Sequence, residues 1–374
     1  MKFIYFHLMP WTDIAETGRD WPIANKFFDP VKANGLYRRY IDTMVTAEDY
    51  GFEWIGCNEH HFSPYGLMSN CNIIGAQVAS RTRSARIAML GNLVPLLNPI
   101  RVAEEYAMLD VMSGGRLIAG FMRGIPHEYV AYNAQPSDSF DRLREAYQLI
   151  VKAWTEPEPF GWEGKYYQYR AVSIWPRPYQ RPHPPVLISA STPESARFAA
   201  EHRAIMGIVL LPDLDTAREC IGVYKETARA NGWEPGPEHI LVGMHTCIAD
   251  TDDEAKRHMA EGLRYFYEVL GGGPRTAARL VLQKTRFYQD QESKEQLAKR
   301  RERLRQTTVD EAVEACTILC GGPDTVSRQI ERLKRELDCG VLNITMKVGN
   351  MPEPVIQHGM ELFRDRVYPV VKDL

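Results

Sequence analysis

The sequence predicts an α/β fold, a single (β/α)8 TIM barrel with long insertions after strands four and seven. Three observations predict it. Eight short runs are apolar almost throughout rather than alternating, as parallel strands buried on both faces must be. Helical patterns lie between them, giving about 47 residues per unit over 374 residues. The competing doubly wound sheet would normally carry a glycine-rich cofactor turn after its first strand, and HLMPWTDIAE has none.

The elements follow in order. The runs FIYFHLM (3–9) and FEWIGCN (52–58) flank the helix YRRYIDTMVTAEDYG, whose apolar face is Tyr37, Ile41, Met44, Val45 and Tyr50 and whose stop is Gly51. The third run, ARIAMLGNLVPL (85–96), precedes a helix that starts after Asn98, takes Pro99 in its first turn and ends on a glycine pair. The fourth is RLIAGFMR (116–123). The excursion 124–184 follows, holding the helix DRLREAYQLIVKAW and an aromatic, proline-rich stretch. Then come PVLISAS (185–191), AIMGIVLL (204–211) and ILVGMHTCIA (240–249), with helices at 192–202 and 215–231. A second excursion, 270–322, opens on GGGP, and its glycines make it a lid candidate or, equally, an extra helical layer. The helix 323–337, the run GVLNITMKV (340–348) and the helix 352–367 complete one domain over residues 1–374.

Composition narrows the function. A 44% hydrophobic content supports a large core, and no apolar run approaches the roughly 20 residues that span a bilayer. A net charge of −3 carries no footprint for nucleic acid or an anionic membrane, and the basic stretch KRRERLRQ from Lys299 reads as a solvated helix face. The N-terminal MKFIYFHLMPW reads as a first strand rather than a signal peptide. Seven dispersed cysteines without a C-x-x-C pair suit a reducing cytoplasm.

P-loop, nucleophile-elbow and H-E-x-x-H signatures are absent, which leaves the strand ends. In WIGCNEHHF, Glu59, His60 and His61 close the second strand. Adjacent strand residues point to opposite faces, so the two histidines are poor joint ligands of one metal. His7, His245, Asp110 and Glu128 lie near other ends but form no recognisable ligand set, and no metal is expected. Acid–base work near neutral pH and a purely structural histidine both stay open. Ser189-Ala190-Ser191-Thr192 before Pro193 offers hydroxyls and free amides at a helix start, which could cradle phosphate or simply cap the helix. Arg123 closes the fourth strand, where its planar fork suits a phosphate or a salt bridge, and Arg142 could add a second charge.

Taken together, MKFIYFHL, GFEWIGCNEHHF, NPIRVAEEYAMLDVMSGGRLIAGFMRG, VLISAST and MELFRDRVYPVV resemble the bacterial-luciferase-like flavin-dependent monooxygenases in order and spacing over most of the chain. The resemblance implies a two-component enzyme that takes reduced FMN from a separate flavin reductase. Molecular oxygen then gives a flavin hydroperoxide that oxygenates a small organic substrate. It places the essential histidine on His60, with Glu59 positioning or tuning it and His61 beside it. It places the phosphate ligands on Arg123, Ser189 and Thr192, a second arginine approximately at Arg142, and a non-prolyl cis peptide near Leu90-Gly91 beneath the flavin ring. Met122 stands where the luciferase subunit has a reactive cysteine, and the luciferase tail is not recognisable in 270–322, so light emission from long-chain aldehydes is not implied. An apolar or aromatic small molecule is the expected substrate, with Trp11, Trp21, Phe62, Tyr65 and Tyr129 as pocket walls. A homodimer or higher homo-oligomer through the second and third barrel helices belongs to the same expectation. A deazaflavin-dependent hydride transfer on the same barrel and a non-catalytic flavin-binding protein are the alternatives.

Overall fold

A computed structural model describes residues 1–14, 21–271 and 307–374. Its strands are β1 (Lys2–Phe6), β2 (Trp54–Cys57), β3 (Arg86–Met89), β4 (Asn92–Leu93), β5 (Leu117–Met122), β6 (Phe160–Glu163), β7 (Gln168–Val172), β8 (Val186–Ser189), β9 (Ile205–Ile208), β10 (Ile240–Ile248), β11 (Ile318–Gly321) and β12 (Val341–Thr345). Strands β1, β2, β3, β5, β8, β9, β10 and β12 pair in that order, all parallel, and β12 returns to β1. The ring is therefore closed and has no free edge. Each of the eight predicted runs supplies one of its strands. Burial on both faces explains their unbroken apolar character, and β10 is buried at all nine positions.

The register fixes which side chains face inward. A Cβ built on Gly56 would touch Ile4, Phe6 and Leu90, so this side of β1 and β2 is the barrel interior. Phe6 pairs with Thr345, and Thr345 pairs with His245, which puts His245 on the same inner side. His7 faces outward instead, where its ring lies 4.4 Å from that of Tyr40.

The helices are α1 (Pro30–Thr46), α2 (Cys71–Arg81), α3 (Pro99–Met112), α4 (Pro126–Ala131), α5 (Ser139–Thr155), α6 (Pro193–Glu201), α7 (Leu214–Ala230) and α8 (Asp252–Tyr265), with later ones at Pro323–Leu337 and Glu353–Leu362. Helix α1 begins seven residues before its periodic pattern does. Asp29 accepts from the amides of Val31 and Lys32, and Pro30 occupies the first turn, so capping chemistry sets that start. Asn98 caps α3 in the same way, and Gly51 takes the left-handed conformation expected of the stop.

The run at 85–96 is not one strand. It breaks at a cis peptide between Leu90 and Gly91, the position the resemblance implied, and then continues as β4 against β5. Within 124–184, α5 is the barrel's own outer helix, joined to α6 by ring contacts of Tyr147 and Phe140 with Phe198. The antiparallel ribbon β6–β7 is the excursion proper. Of the lid candidate 270–322, residues 272–306 lie outside the described residues, as does KRRERLRQ. What is described after them includes β11, which extends the upper end of β10 rather than the ring.

Candidate functional site

The chemistry gathers at the C-terminal mouth of the ring. After β2 the chain keeps its alternation through Glu59, His60 and His61, and the three side chains part accordingly. His60 turns to one side, where its Nδ1 lies 2.8 Å from Glu128 Oε1. Its ring also meets that of Tyr65 edge-on at 4.8 Å and lies 6.5 Å from that of His127. Glu59 and His61, two residues apart, share the opposite side: His61 Nε2 lies 3.2 Å from Glu59 Oε1, and the Tyr132 hydroxyl lies 3.2 Å from His61 Nδ1. The expected support of His60 by Glu59 is thus not made, because neighbouring residues on an extended chain cannot face the same way. Glu59 belongs to His61. A cavity of about 130 Å³ opens on this second side, lined by Glu59, His61, Tyr132, Asn92, Arg101 and Glu105 among others.

Glu128 is the partner that sequence reasoning placed only near a strand end. It sits in the third position of α4, after Pro126 in the first, and its Oε2 accepts from the amide of Ile125. Proline followed two residues later by glutamate is a helix-start signal, and it could have located this carboxylate. The Glu128 side chain is fully buried, whereas His60 keeps 16% exposure. A buried carboxylate is tolerated when both oxygens receive donors, which the imidazole N–H and the Ile125 amide provide. That bond makes Nδ1 the proton-bearing nitrogen of His60 and leaves Nε2 free for proton exchange. His127, fully buried beside the pair, has its pKa pushed down to about 4 by burial, so it is neutral at neutral pH.

A second group of residues lies at the ends of β5 and β8. The Arg123 guanidinium sits 5.4 Å from the Phe140 ring and has no hydrogen bond or ion pair among the described residues, while its carbonyl accepts from the Tyr129 hydroxyl. Arg144 lies over the same Phe140 ring at 4.3 Å and reaches Glu194, in the first turn of α6, at 3.8 Å. Arg142 faces elsewhere: its Nε donates to Pro95 O at 3.1 Å and its guanidinium covers Tyr166 and Tyr167. Arg142, the approximate position the resemblance gave for the second arginine, thus faces Pro95 and the two tyrosines, and Arg144 is the arginine of α5 that faces α6. Two residues along a helix are about 200° apart, so only one of the two can face β8. Thr192 caps α6, its Oγ1 accepting from the Ser195 amide at 3.3 Å, and Ser189 ends β8 partly exposed.

One unpaired arginine fork, a second arginine that reaches only Glu194 at 3.8 Å, hydroxyls and a helix N-terminus make a set of donors suited to a phosphate. The expected walls divide. Tyr65 touches His60, Trp21 donates from Nε1 to Phe62 O at 3.1 Å and lies 6.1 Å from His127, and Phe62 is exposed. Tyr129 braces Arg123, and Trp11 is buried against Phe28.

A family model described as luciferase-like monooxygenase matches residues 21–338. The uncharacterised protein y4wF of Sinorhizobium fredii is 37% identical over 180 residues, which are 47% of this chain and 52% of that protein. The oxygenase component of the flavin-dependent trigonelline monooxygenase of Acinetobacter baylyi is 26% identical over 239 residues, 63% of this chain and 66% of that one. The chain thus spans about half the length of the first relative and just under two thirds of the second. Among solved structures, the oxygenating constituent of 3,6-diketocamphane monooxygenase from Pseudomonas putida, in complex with FMN, superposes with a TM-score of 0.75 at 22% identity, covering 99% of this chain and 98% of that one. An F420-dependent secondary alcohol dehydrogenase superposes with a TM-score of 0.70 at 17% identity over the same shares. These structural likenesses establish the fold.

Proposed function

The chain belongs to the luciferase-like monooxygenase family, and from that premise we propose that it is the oxygenase component of a two-component system, working on reduced FMN supplied by a separate flavin reductase. The relative named as an oxygenase component supports the reductase partner. The observation that carries the reading is the co-location, at one barrel mouth, of an arginine fork with no partner among the described residues and a histidine held by a buried carboxylate.

In this reading Arg123, Arg144, Ser189 and the start of α6 would hold the FMN phosphate, and the Leu90-Gly91 segment would belong to the floor of the same site. Bound there, reduced FMN would supply the electrons for oxygen activation. The chain's own residues do the rest. Glu128 fixes the His60 ring, His60 Nε2 takes or gives the proton of the oxygen-transfer step, and the partly buried Tyr65 and the buried Trp21 wall the space against water. Trp21, Tyr65 and Phe62 suit an apolar or aromatic small molecule. The reading includes a homodimer in which Ile73 of α2 and Met108, Val111 and Met112 of α3, all exposed in one chain, meet a second copy. Among the described residues no helix is long and apolar enough to cross a membrane.

The test is oxygen uptake with a substrate panel. Uptake is expected only when reductase or chemically reduced FMN is present, and His60→Ala should lower product formation by about 10²–10⁴-fold while reduced FMN still binds. Tight binding of a reduced deazaflavin, with hydride transfer and no oxygen uptake, would replace this reading with the hydride-transfer alternative.

A further inference from the structure

Three buried polar side chains at the barrel mouth, His127, His245 and Asn58, have no hydrogen-bond partner among the described residues, and two of them, His245 and Asn58, face the barrel interior. His245, on β10, leaves both ring nitrogens unpaired, and Asn58, just past β2, leaves both atoms of its amide unpaired. Both side chains are more than nine-tenths buried. Their direction follows from register. Asn58 stands two residues beyond Gly56, whose missing side chain would point at Ile4, Phe6 and Leu90, and His245 shares the side of Thr345 and Phe6. An aromatic path ties His245 to the reacting end of the site: its ring is 4.8 Å from Phe266, Phe266 is 5.4 Å from Tyr65, and Tyr65 is 4.8 Å from His60.

Buried polar groups are almost always paired, so four unpaired atoms facing one interior mark a place for something polar. Neither side chain brings a charge. The amide has none, and burial pushes the His245 pKa down to about 4, leaving the imidazole neutral with one donor and one acceptor nitrogen. A carboxylate entering there would lose its water and gain no counter-charge from these two residues. A hydrocarbon would leave all four atoms unpaired, and a site built to bond an oxygen rejects the analogue lacking it.

We propose that Asn58 and His245 form a neutral hydrogen-bonding subsite that recognises the oxygen of an uncharged substrate, a ketone or an alcohol carried on an apolar or aromatic frame. The inference rests on the proposed function and deepens it by naming the substrate class.

The experiment uses the full chain with reduced FMN under anaerobic conditions. Calorimetry would compare three probes of similar size: acetophenone, ethylbenzene and benzoate. Acetophenone is expected to bind at least about tenfold more tightly than the other two. His245→Phe and Asn58→Leu should each bring acetophenone towards the affinity of ethylbenzene and change the Kd for reduced FMN by less than about twofold. His245→Gln, which keeps a donor and an acceptor, should retain part of the preference, and circular dichroism confirms that each variant is folded. Equal affinities for the three probes, tightest binding of benzoate, or no binding of acetophenone overturns the subsite. So does a loss of more than about tenfold in reduced-FMN affinity in the variants, which would make these residues flavin contacts. If reduced FMN fails to bind the unaltered protein, the functional reading falls. If it binds and the ketone preference is missing, only the subsite falls.

Discussion

At the residue scale, the site is a matter of which partner each side chain can reach. Glu128 lies 68 residues from His60 and meets it at 2.8 Å, with its second oxygen committed to the Ile125 amide. Glu128→Gln keeps a side chain of the same shape but removes the charge that favours Nδ1–H on His60. We expect kcat to fall by about 10- to 100-fold with KM and the Kd for reduced FMN nearly unchanged, because the residue acts through the histidine. An equal fall in flavin affinity would show that Glu128 serves the cofactor instead. The two arginines of α5 separate in the same manner. Losing a charge-assisted bond to a phosphate costs about 1.5–3 kcal/mol, so Arg144→Ala should weaken reduced-FMN binding by roughly 10- to 150-fold. Arg142→Ala should leave that binding within about twofold, since its guanidinium is spent on Pro95, Tyr166 and Tyr167. Flavin fluorescence titration of the two variants checks this, and the reverse order would place the phosphate ligand at Arg142.

At the scale of elements, the turn from β5 into α4 links backbone geometry to the site. Gly124 holds φ +86°, and a Cβ there would stand 2.8 Å from Glu128 Oε2. Gly124→Ala therefore meets two penalties, a left-handed backbone worth about 1–2 kcal/mol and displacement of the carboxylate that orients His60. Both the urea midpoint and kcat should fall; a variant with unchanged turnover would show that Glu128 need not stay where it is. Elements also mark how far sequence reasoning reached. The eight strands were legible because burial on both faces writes continuous apolar runs, and strand-end positions brought His60, Arg123 and Ser189 to one face of the barrel. Pairings were not legible. Glu59 adjoins His60 in sequence yet faces away from it, and the choice between Arg142 and Arg144 depends on the rotation of α5 against α6, which local pattern leaves open. The break at Leu90-Gly91 was likewise invisible to periodicity and came only from the resemblance.

Across the whole molecule, burial keeps His7, His127 and His245 uncharged at neutral pH. Burial pushes His127 and His245 down to about 4 and lowers His7 as well, with the Lys347 charge adding to the effect on His7. In the unfolded chain each would titrate near 6.5. Between about pH 6.5 and 4 the unfolded state then binds more protons than the folded one, so stability is complete above neutrality and is lost as pH falls through this window. A depression of this size corresponds to roughly 3 kcal/mol for each of His127 and His245, large against a total stability of about 5–15 kcal/mol. Carboxylates such as Glu48 act lower. Burial alone would raise its pKa, but the amides of Arg83, Ser84 and Ala85, with the Ser84 hydroxyl, outweigh that and hold it at about 2, so its contribution is lost only in stronger acid. The urea midpoint should accordingly stay level from pH 8 to 7, fall steeply between about 6.5 and 4.5, and fall less in His245→Phe, which has no proton to take up at that position. A midpoint that stays flat from pH 7.5 to 4.5 would mean that these imidazoles find water or a partner when protonated, and the unpaired interior on which the substrate subsite depends would then be open to solvent.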